Sequence, residues 1–591
     1  VLGSSFFIPV FLLLGVFYGV DRGQKPQMEG SMIVLGICDS QDAGACLFVH
    51  GSLVSAVNEE RLCRKKLWGG FPRLSILEVL RLGGVKPEDV DVVVIGTSIT
   101  PNLIFRAFRG IHQGVRRKSG QFGYLLNLFI TYQTIARKSS LILGLEALAG
   151  RKVIARELRK LRIQSKVISI DHHSAHAYGA FATSPFDSAL VVTADGLGDG
   201  LGLTVSVGER GKGLLCIHEE SGFSALTLYY SRLTEALGFT PIKDEGKVNA
   251  LAGYTLRMPL LGDAKRLLRH KEGRFNLQNH LLPCSRQGWP YGLFSKYSRE
   301  EVASSFQTHL ENEMKDFVRH YVKKTGQKNV CLAGGLFANV KLNQRLAMMD
   351  EVEGVWVFPH MGDGGLAVGG CLAYLGSEPS PLPHVYLGSS FTDTKAEEAL
   401  RKAGLSYRKP ENPDLEVARL LSLGKIVAVC RGRMEWGPRA LGNRSILLHG
   451  QDPDTVSWLN KKLRRSHFMP FAPAVLLEDG PRCFIGLEKA LHSSRFMTIS
   501  FDATEYFRKT YKGAIHKDGT ARPQLVDDQT NPNFASILRE YKRRTGLCCL
   551  INTSFNMHEE PIVCSPEDAV QAFLQAGLDA LLLGSYLVEN R

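Results

Sequence analysis

The stretch Asp171–Gly202, DHHSAHAYGAFATSPFDSALVVTADGLGDGLG, joins two chemical devices. The first is His172-x-x-x-His176, which opens a run rich in small residues to Ala182. That composition allows a helix, and on a helix an i, i+4 pair shares one face, so both imidazoles can reach one metal ion. The second is an apolar strand, Ala189–Ala194, that stops at Asp195 and opens into Gly196, Gly198, Gly200 and Gly202. A carboxylate at a strand end beside a glycine turn either ligates a metal or lets the backbone close on phosphates. Imidazole nitrogen with carboxylate oxygen suits iron, zinc or manganese rather than calcium. Each device alone has an ordinary explanation, a half-exposed polar helix face or a hairpin turn. Their meeting in one segment favours a site. His173 stands where a metalloprotease helix carries its glutamate base, so hydrolysis by that route is disfavoured.

The same grammar occurs earlier in the chain. Met32–Cys38 reads as a strand stopping at Asp39. Gly44–Val49 and Ser52–Val57 read as a hairpin, closed by Asn58-Glu59-Glu60-Arg61. Around the opening stretch, Ala189–Ala194 is followed by the hairpin strands Gly202–Val207 and Gly213–His218, closed by Glu219-Glu220. Two copies of strand, Asp-containing turn and hairpin indicate an internal duplication. Two such facing halves are the architecture of the actin-like sugar kinases and heat-shock ATPases, which hold nucleotide in the cleft between them. Helical periodicity covers Pro72–Gly83 and Ala303–Thr325. Asn329–Leu332 leads into Ala333-Gly334-Gly335, a junction that either approaches phosphate through backbone N–H groups or makes a tight turn. Val355–Phe358 runs into Pro359-His360-Met361-Gly362-Asp363, a second Asp beside glycines and a natural further metal ligand.

Pro379, Pro381 and Pro383 read as a linker, after which the pattern changes. Lys425–Cys430 is a buried strand followed by RGRMEWGPRALGNRS, residues 431–445. Arg431, Arg433, Arg439 and Arg444, spaced by glycine and proline, make a poor helix and a poor strand. They suit a loop that grips an anion bidentately. Leu547–Ile551 is a strand ending in the short donors Asn552-Thr553-Ser554-Phe555-Asn556. A nucleic-acid surface would instead show aromatics interleaved on a sheet or a long basic helix, so no nucleic-acid partner is expected.

With 591 residues the chain is too long for one core, and 44% hydrophobic and 22% charged residues are those of a soluble globular protein. The net charge of +14 is local: twelve basic residues between Arg106 and Lys160 meet only Glu146 and Glu157. This basic insertion flanks the apolar run Phe122–Tyr132. A peripheral contact with a membrane surface or anionic partner competes there with a solvated insertion holding its own small core, the favoured reading. Twelve cysteines without a CxxC pair fit reduced thiols in a cytoplasmic enzyme rather than a zinc ribbon or disulfide framework. Residues 1–31 carry an apolar run and read as an extension outside the fold.

From Met32 onward the chain resembles the O-carbamoyltransferases of nodulation-factor and antibiotic biosynthesis. The likeness rests on Glu59-Glu60-Arg61, Asp171-His172-His173, Asp195-Gly196, Glu245-Gly246-Lys247-Val248, Ala333-Gly334-Gly335 and Gly362-Asp363. It continues through Gly432-Arg433-Met434-Glu435, the run 437–445, Pro470-Phe471-Ala472-Pro473, Asn552-Thr553-Ser554-Phe555-Asn556 and Glu560-Pro561-Ile562-Val563. The resemblance implies an α/β protein. A duplicated actin-like domain, similar to the tRNA-threonylcarbamoyl transferases, would span residues 32–378. A linker at 379–390 and an α+β YrdC-like domain at 391–591 would follow. It further implies that the second domain makes carbamoyl adenylate from ATP, with Mg, and carbamoyl phosphate. The first would pass the carbamoyl group, on a metal, to a hydroxyl of a sugar, glycolipid or natural product. The implied metal ligands are His172, His176, Asp195 and Asp363, for Fe(II) or else Zn or Mn. Gly196, Lys247, Gly334, Gly335 and Asn339 would surround the adenylate. Arg439, Arg444 and Arg465 would hold carbamoyl phosphate, with Asn552 and Ser554 seating the nucleotide phosphates.

The chain departs from the family pattern at four places. Gln41-Asp42 replaces His-Asp, Ser466-His467 and Met469 replace the usual charged residues before Pro470, and Glu559 stands where glycine is expected. Glutamine cannot act as a base, so the acceptor's identity is left open. The alternatives are a tRNA threonylcarbamoyl-type transferase and a degenerate homologue that only binds. The arginine loop and the Asn-Thr-Ser-Phe segment argue against the former, whose chemistry is normally divided between separate proteins.

Overall fold

A computed structural model of the protein describes residues 32–101, 103, 106, 131–277, 294–464 and 468–590. The N-terminal extension, most of the apolar run Phe122–Tyr132, and Arg465, Ser466 and His467 lie outside the described residues.

Strands β1 (Ile33–Cys38), β2 (Gly44–Val49) and β3 (Ser52–Asn58) form an antiparallel meander, and β4 (Val92–Ile95) and β5 (Lys166–Ser169) add to β1 in parallel. The resulting sheet order is β3-β2-β1-β4-β5. Strands β6 (Ser188–Gly198), β7 (Leu201–Glu209) and β8 (Gly213–Ser221) repeat the meander. After a small hairpin of β9 (Leu268–Lys271) and β10 (Arg274–Leu277), β11 (Asn329–Ala333) and β12 (Gly354–Val357) join β6 in parallel. The second order, β12-β11-β6-β7-β8, is the first one again. The duplication expected from the two strand–turn–hairpin copies is therefore present in strand direction as well as order, and the fold is a duplicated actin-like α/β domain.

Central strand β1 is buried from Val34 to Cys38 and β6 from Ala189 to Ala194. That explains why they read as apolar runs rather than alternating patterns. β6 continues past Asp195, where the sequence suggested a stop, because a bulge between Ala194 and Gly198 turns the chain while keeping it paired with β7. Helices His172–Ala182 and Leu366–Leu375 pack in one core with side chains from both sheets. The helix Arg299–Thr325 starts four residues earlier than its apolar period, at a capping box of Ser298 and Glu301.

The proline-rich stretch after Leu375 is a tied strap. Ser380 and Leu382 donate backbone bonds to Ala182 and Thr183, Leu387 accepts from Ala56, and Gly388 donates to Met434. It leads to a seven-stranded mixed sheet of β13 (Val427–Cys430), β14 (Arg444–His449), β15 (Ala472–Leu476), β19 (Gln524–Val526), β20 (Cys549–Ser554), β21 (Ala580–Leu583) and β22 (Tyr586–Glu589). Its order is β19-β15-β20-β14-β13-β21-β22. Helices Pro413–Ser422 and Pro532–Thr545 cover one face through Val417, Leu421, Phe534, Leu538 and Tyr541. A three-stranded sheet of β16 (Phe484–Ile485), β17 (Phe501–Ala503) and β18 (Thr520–Ala521) completes this α+β part. Among the described residues no helix is long and apolar enough to cross a membrane.

Candidate functional site

The helix His172–Ala182 begins at Asp171, whose carboxylate caps the N–H of Ser174 at 2.9 Å and is itself held by Arg137 at 2.8 Å. Asp199, in the glycine turn, accepts from the N–H of His172 at 2.9 Å and from Ser98, Ile99 and Thr100. One buried carboxylate thus ties the first helical turn to the loop after β4. The two imidazoles expected to share a face do so, with ring centroids 4.8 Å apart.

Across from them stand Asp195, at the bulge of β6, and Asp363, after β12. Ligand atoms of His172, His176, Asp195 and Asp363 all lie within 4.8 Å of one another. The histidines are fully buried, which excludes a half-exposed polar face, while the carboxylate side chains are 13% and 16% exposed and mark the open side. His172 Nε2 lies 3.2 Å from Asp195 Oδ2 and 3.8 Å from Asp363 Oδ1. His172 Nδ1 and both ring nitrogens of His176 are buried without a hydrogen-bond partner. Buried polar atoms left unpaired cost about 1–3 kcal/mol each, so this cluster fits a cation better than it fits itself. His173 is different. Its Nδ1 accepts from Thr193 at 2.7 Å and its Nε2 donates to the Leu201 carbonyl at 3.2 Å, which makes it a satisfied core residue.

The electrostatics follow from this crowding. Burial opposes charge on His172, but the Asp195 hydrogen bond and the Asp363 charge outweigh it and hold the ring up to about 9. Burial, and then the neighbouring His172, push His176 well below the ordinary imidazole range. Burial and the Asp195 charge raise Asp363 to about 7. Two close carboxylates and a neutral imidazole are a donor set suited to a divalent first-row metal.

Glycine is required against this cluster. A Cβ on Gly198 would stand 2.1 Å from the His172 ring, and Gly334, at φ +100°, would place one 2.2 Å from the Ala194 carbonyl. The N–H of Gly335 donates to Asp195 Oδ1 at 2.8 Å. Thus Gly334 and Gly335 are brought to the cluster, and Gly196 flanks Asp195. Asn339 is turned into a buried network with Gln307 and Asn249 while capping the next helix. Lys247 pairs with Asp244 at 2.9 Å.

Several contributors escaped sequence reasoning. Ser40 donates to Asp363 Oδ2 at 2.8 Å. Arg106, the first residue of the basic insertion, is buried on Asp39 at 2.9 and 3.2 Å instead of facing solvent. Next to Gln41, Asp42 accepts from Asn58, whose Oδ1 accepts from His360 at 3.0 Å. An Asp in a glycine turn was the one available signal for Asp199; nothing local marked Ser40 or Arg106.

In the arginine loop, Glu435 Oε1 accepts from the N–H groups of Leu441, Asn443 and Arg444 and so shapes the run 439–445. Arg431 pairs with Asp414 at 2.5 Å, and Arg433 donates to the carbonyls of Leu387 and Val54. Arg444 is fully buried and donates to the carbonyls of Arg431, Asn443, Ser389 and Gly432. A guanidinium so engaged holds the loop and has only Nε left for an anion. Arg439 has no partner among the described residues, its Nε is buried, and burial pulls its charged form down to about 10. Asn552 donates to the Ala440 carbonyl at 3.2 Å and to Gln524 at 2.7 Å, with its Oδ1 unpaired. Ser554 ends β20 opposite Ser445.

The two parts meet here. Arg61 donates to the Gly437 carbonyl at 2.7 Å, and Arg64 donates to Ile562 and Pro561 and pairs with Asp568 at 3.2 Å. Glu559 adopts φ +73°, the conformation glycine prefers, and pairs with Lys243 across the junction. Met469 accepts through its carbonyl from Asn460 at 3.4 Å.

Residues 33–372 match the family profile described as carbamoyltransferase N-terminus, and residues 418–590 match carbamoyltransferase C-terminus. An uncharacterised protein of Methanocaldococcus jannaschii is 31% identical over 94% of this chain and 100% of its own length. The nodulation protein NolNO of Sinorhizobium fredii is 31% identical over 93% of this chain and 79% of its own. Among solved structures, component A of (R)-2-hydroxyglutaryl-CoA dehydratase from Acidaminococcus fermentans covers 58% of this chain and 97% of its own at 14% identity. Its TM-score of 0.33 is a level from which nothing is carried over.

Proposed function

Because the chain belongs to the carbamoyltransferase family and is an enzyme of that class, we propose that it carbamoylates a hydroxyl in two ATP-dependent stages at two sites. At the arginine loop, in a domain spanning 391–591, water releases phosphate from carbamoyl phosphate, and the carbamate so formed attacks the α-phosphate of Mg-ATP to give carbamoyl adenylate and pyrophosphate. In the domain spanning 32–378, a hydroxyl of a sugar, glycolipid or natural product takes the carbamoyl group and AMP leaves.

His172, His176, Asp195 and Asp363 would hold Fe(II), or else zinc or manganese. A bound metal there would stabilise negative charge developing on the carbamoyl carbonyl oxygen. Asp171 and Asp199 fix the helix that carries the imidazoles, and Ser40 orients Asp363. Ligands so braced, with their atoms within 4.8 Å of one another, would need only small shifts to share one ion. In the second site Arg439 offers an unneutralised guanidinium to the phosphate, with Asn552 and Ser554 on the neighbouring strand. Carbamoyl adenylate is labile in water, so passage inside the protein follows, supported by the Arg61 and Arg64 bridges.

The observation that carries this reading is the cluster of four ligand atoms with three buried imidazole nitrogens unpaired. It is tested by incubating the protein with ATP and labelled carbamoyl phosphate while measuring metal content and pyrophosphate. Expected are a bound first-row metal, pyrophosphate that requires both substrates, and, when that metal is stripped and magnesium is restored in excess, loss of transfer but not of pyrophosphate release. A metal-loaded protein that releases no pyrophosphate would instead be a binding homologue.

A further inference from the structure

The helix Ser140–Arg159 buries one side, through Gly150, Ile154 and Leu158. At 100° per residue, Leu141, Leu145, Leu148, Lys152, Arg156 and Arg159 fall within about 80° on the opposite side. All six are exposed. The leucines are 70%, 58% and 43% exposed, and Ile135 in the preceding helical stretch is 54% exposed. Isolated surface leucines are ordinary, but three on one line are a patch.

The line changes character along its length. Its first half is apolar, and its second half presents Lys152, Arg156 and Arg159, none with an ion-pair partner among the described residues. The two nearby acids are already engaged: Glu146 accepts from Tyr132 and from the N–H of Leu103, and Glu157 pairs with Lys160 at 2.8 Å. Among the described residues no carboxylate pairs with the three cations of this face, which is therefore apolar and cationic. A protein interface would leave these cations in need of a matching acidic surface of defined shape. An anionic bilayer satisfies both halves, because acyl chains take the leucines while phosphates meet the cations in any register.

We propose that this face seats the protein on an anionic lipid surface, with Leu141, Leu145 and Leu148 entering the headgroup–acyl boundary and Lys152, Arg156 and Arg159 against lipid phosphates. None of these residues belongs to the metal cluster or the arginine loop, so the proposal stands apart from the reading of either site.

The test is flotation of the full-length enzyme with vesicles of phosphatidylglycerol and phosphatidylcholine, against vesicles of phosphatidylcholine alone. Binding to the anionic vesicles only is expected, falling about tenfold as salt rises from about 0.1 M to about 0.5 M. L141E/L145E/L148E should weaken it by about tenfold or more with pyrophosphate release unchanged. K152E/R156E should weaken it and flatten the salt dependence. L256E, at a leucine 89% exposed elsewhere, should leave it untouched. The proposal is overturned if the wild type does not float, if L256E loses as much as the triple variant, or if binding ignores both lipid charge and salt. A concentration-dependent dimer, lost in the triple variant and unaccompanied by flotation, would also overturn it and assign the face to a second copy of the chain.

Discussion

The histidine cluster and the arginine loop were both read as gripping a ligand, yet their buried donors are used in opposite ways. In the cluster, His172 and His176 leave three ring nitrogens unpaired beside two carboxylates. In the loop, Arg431, Arg433 and Arg444 are engaged by Asp414 and backbone carbonyls, and Arg439 is left over. The contrast repeats within each region, since His173 is satisfied where His176 is not. Residue type and spacing therefore do not separate a ligand site from a structural brace. The extent of the unmade bonding does: both ring nitrogens of His176 are bare, whereas Arg431 and Arg444 each leave only Nε unpaired.

The largest effect should come from the least satisfied ring. His176→Ala removes a ligand without breaking any hydrogen bond within the protein. It should abolish tight metal binding and cut carbamoyl transfer by about 10³-fold, with pyrophosphate release retained. Metal analysis with both assays checks this, and a variant that keeps its metal would show that the unpaired His176 ring is not a ligand. Next, Arg439→Ala should lower pyrophosphate release by about 10²–10³-fold while leaving thermal stability unchanged. Arg444→Met should do the reverse. Freeing four carbonyls in a buried site should cost about 2–4 kcal/mol in denaturant unfolding. If the two arginine variants behaved alike, the division between grip and brace would fail.

Much of this was legible from local pattern. The duplicated sheets show as apolar runs, because central strands covered on both faces have no polar alternation to blur them. The i, i+4 histidines and the strand-end aspartates were legible for the same reason, as each is set by its own element. What was hidden depends on contacts distant in the chain. Ser40 meets Asp363 across more than three hundred residues, and Arg106 lies in an insertion whose other charges suggest solvent. Arg444 and Arg439 could not be told apart, because which guanidinium faces the carbonyls is decided by Glu435 folding the loop about itself. The stretch at 379–390 read as a linker, and its prolines give no sign of the backbone bonds that tie it to its neighbours.

The smallest effect sharpens the contrast among histidines. His360 precedes Asp363 by three residues and is as buried as His176, yet its Nε2 donates to Asn58 at 3.0 Å. Burial, and then the Arg61 charge, hold it down to about 3, although Asp42 Oδ2 lies 3.8 Å away. An imidazole lowered in the folded state is neutral there at pH values where the unfolded chain already binds a proton. Its contribution is complete above about 6.5 and is lost as pH falls toward about 3. Between pH 7 and pH 5 the wild type should therefore lose about 1–2 kcal/mol through this group. His360→Asn keeps a donor for Asn58 but cannot titrate. It should be less stable than wild type at pH 7 by about 1 kcal/mol, and the gap should close or reverse at pH 5. Urea unfolding at the two pH values measures both. A gap that stays constant would mean that His360 is not held neutral, and that burial with a partner and burial without one are no more distinguishable here than they were in the sequence.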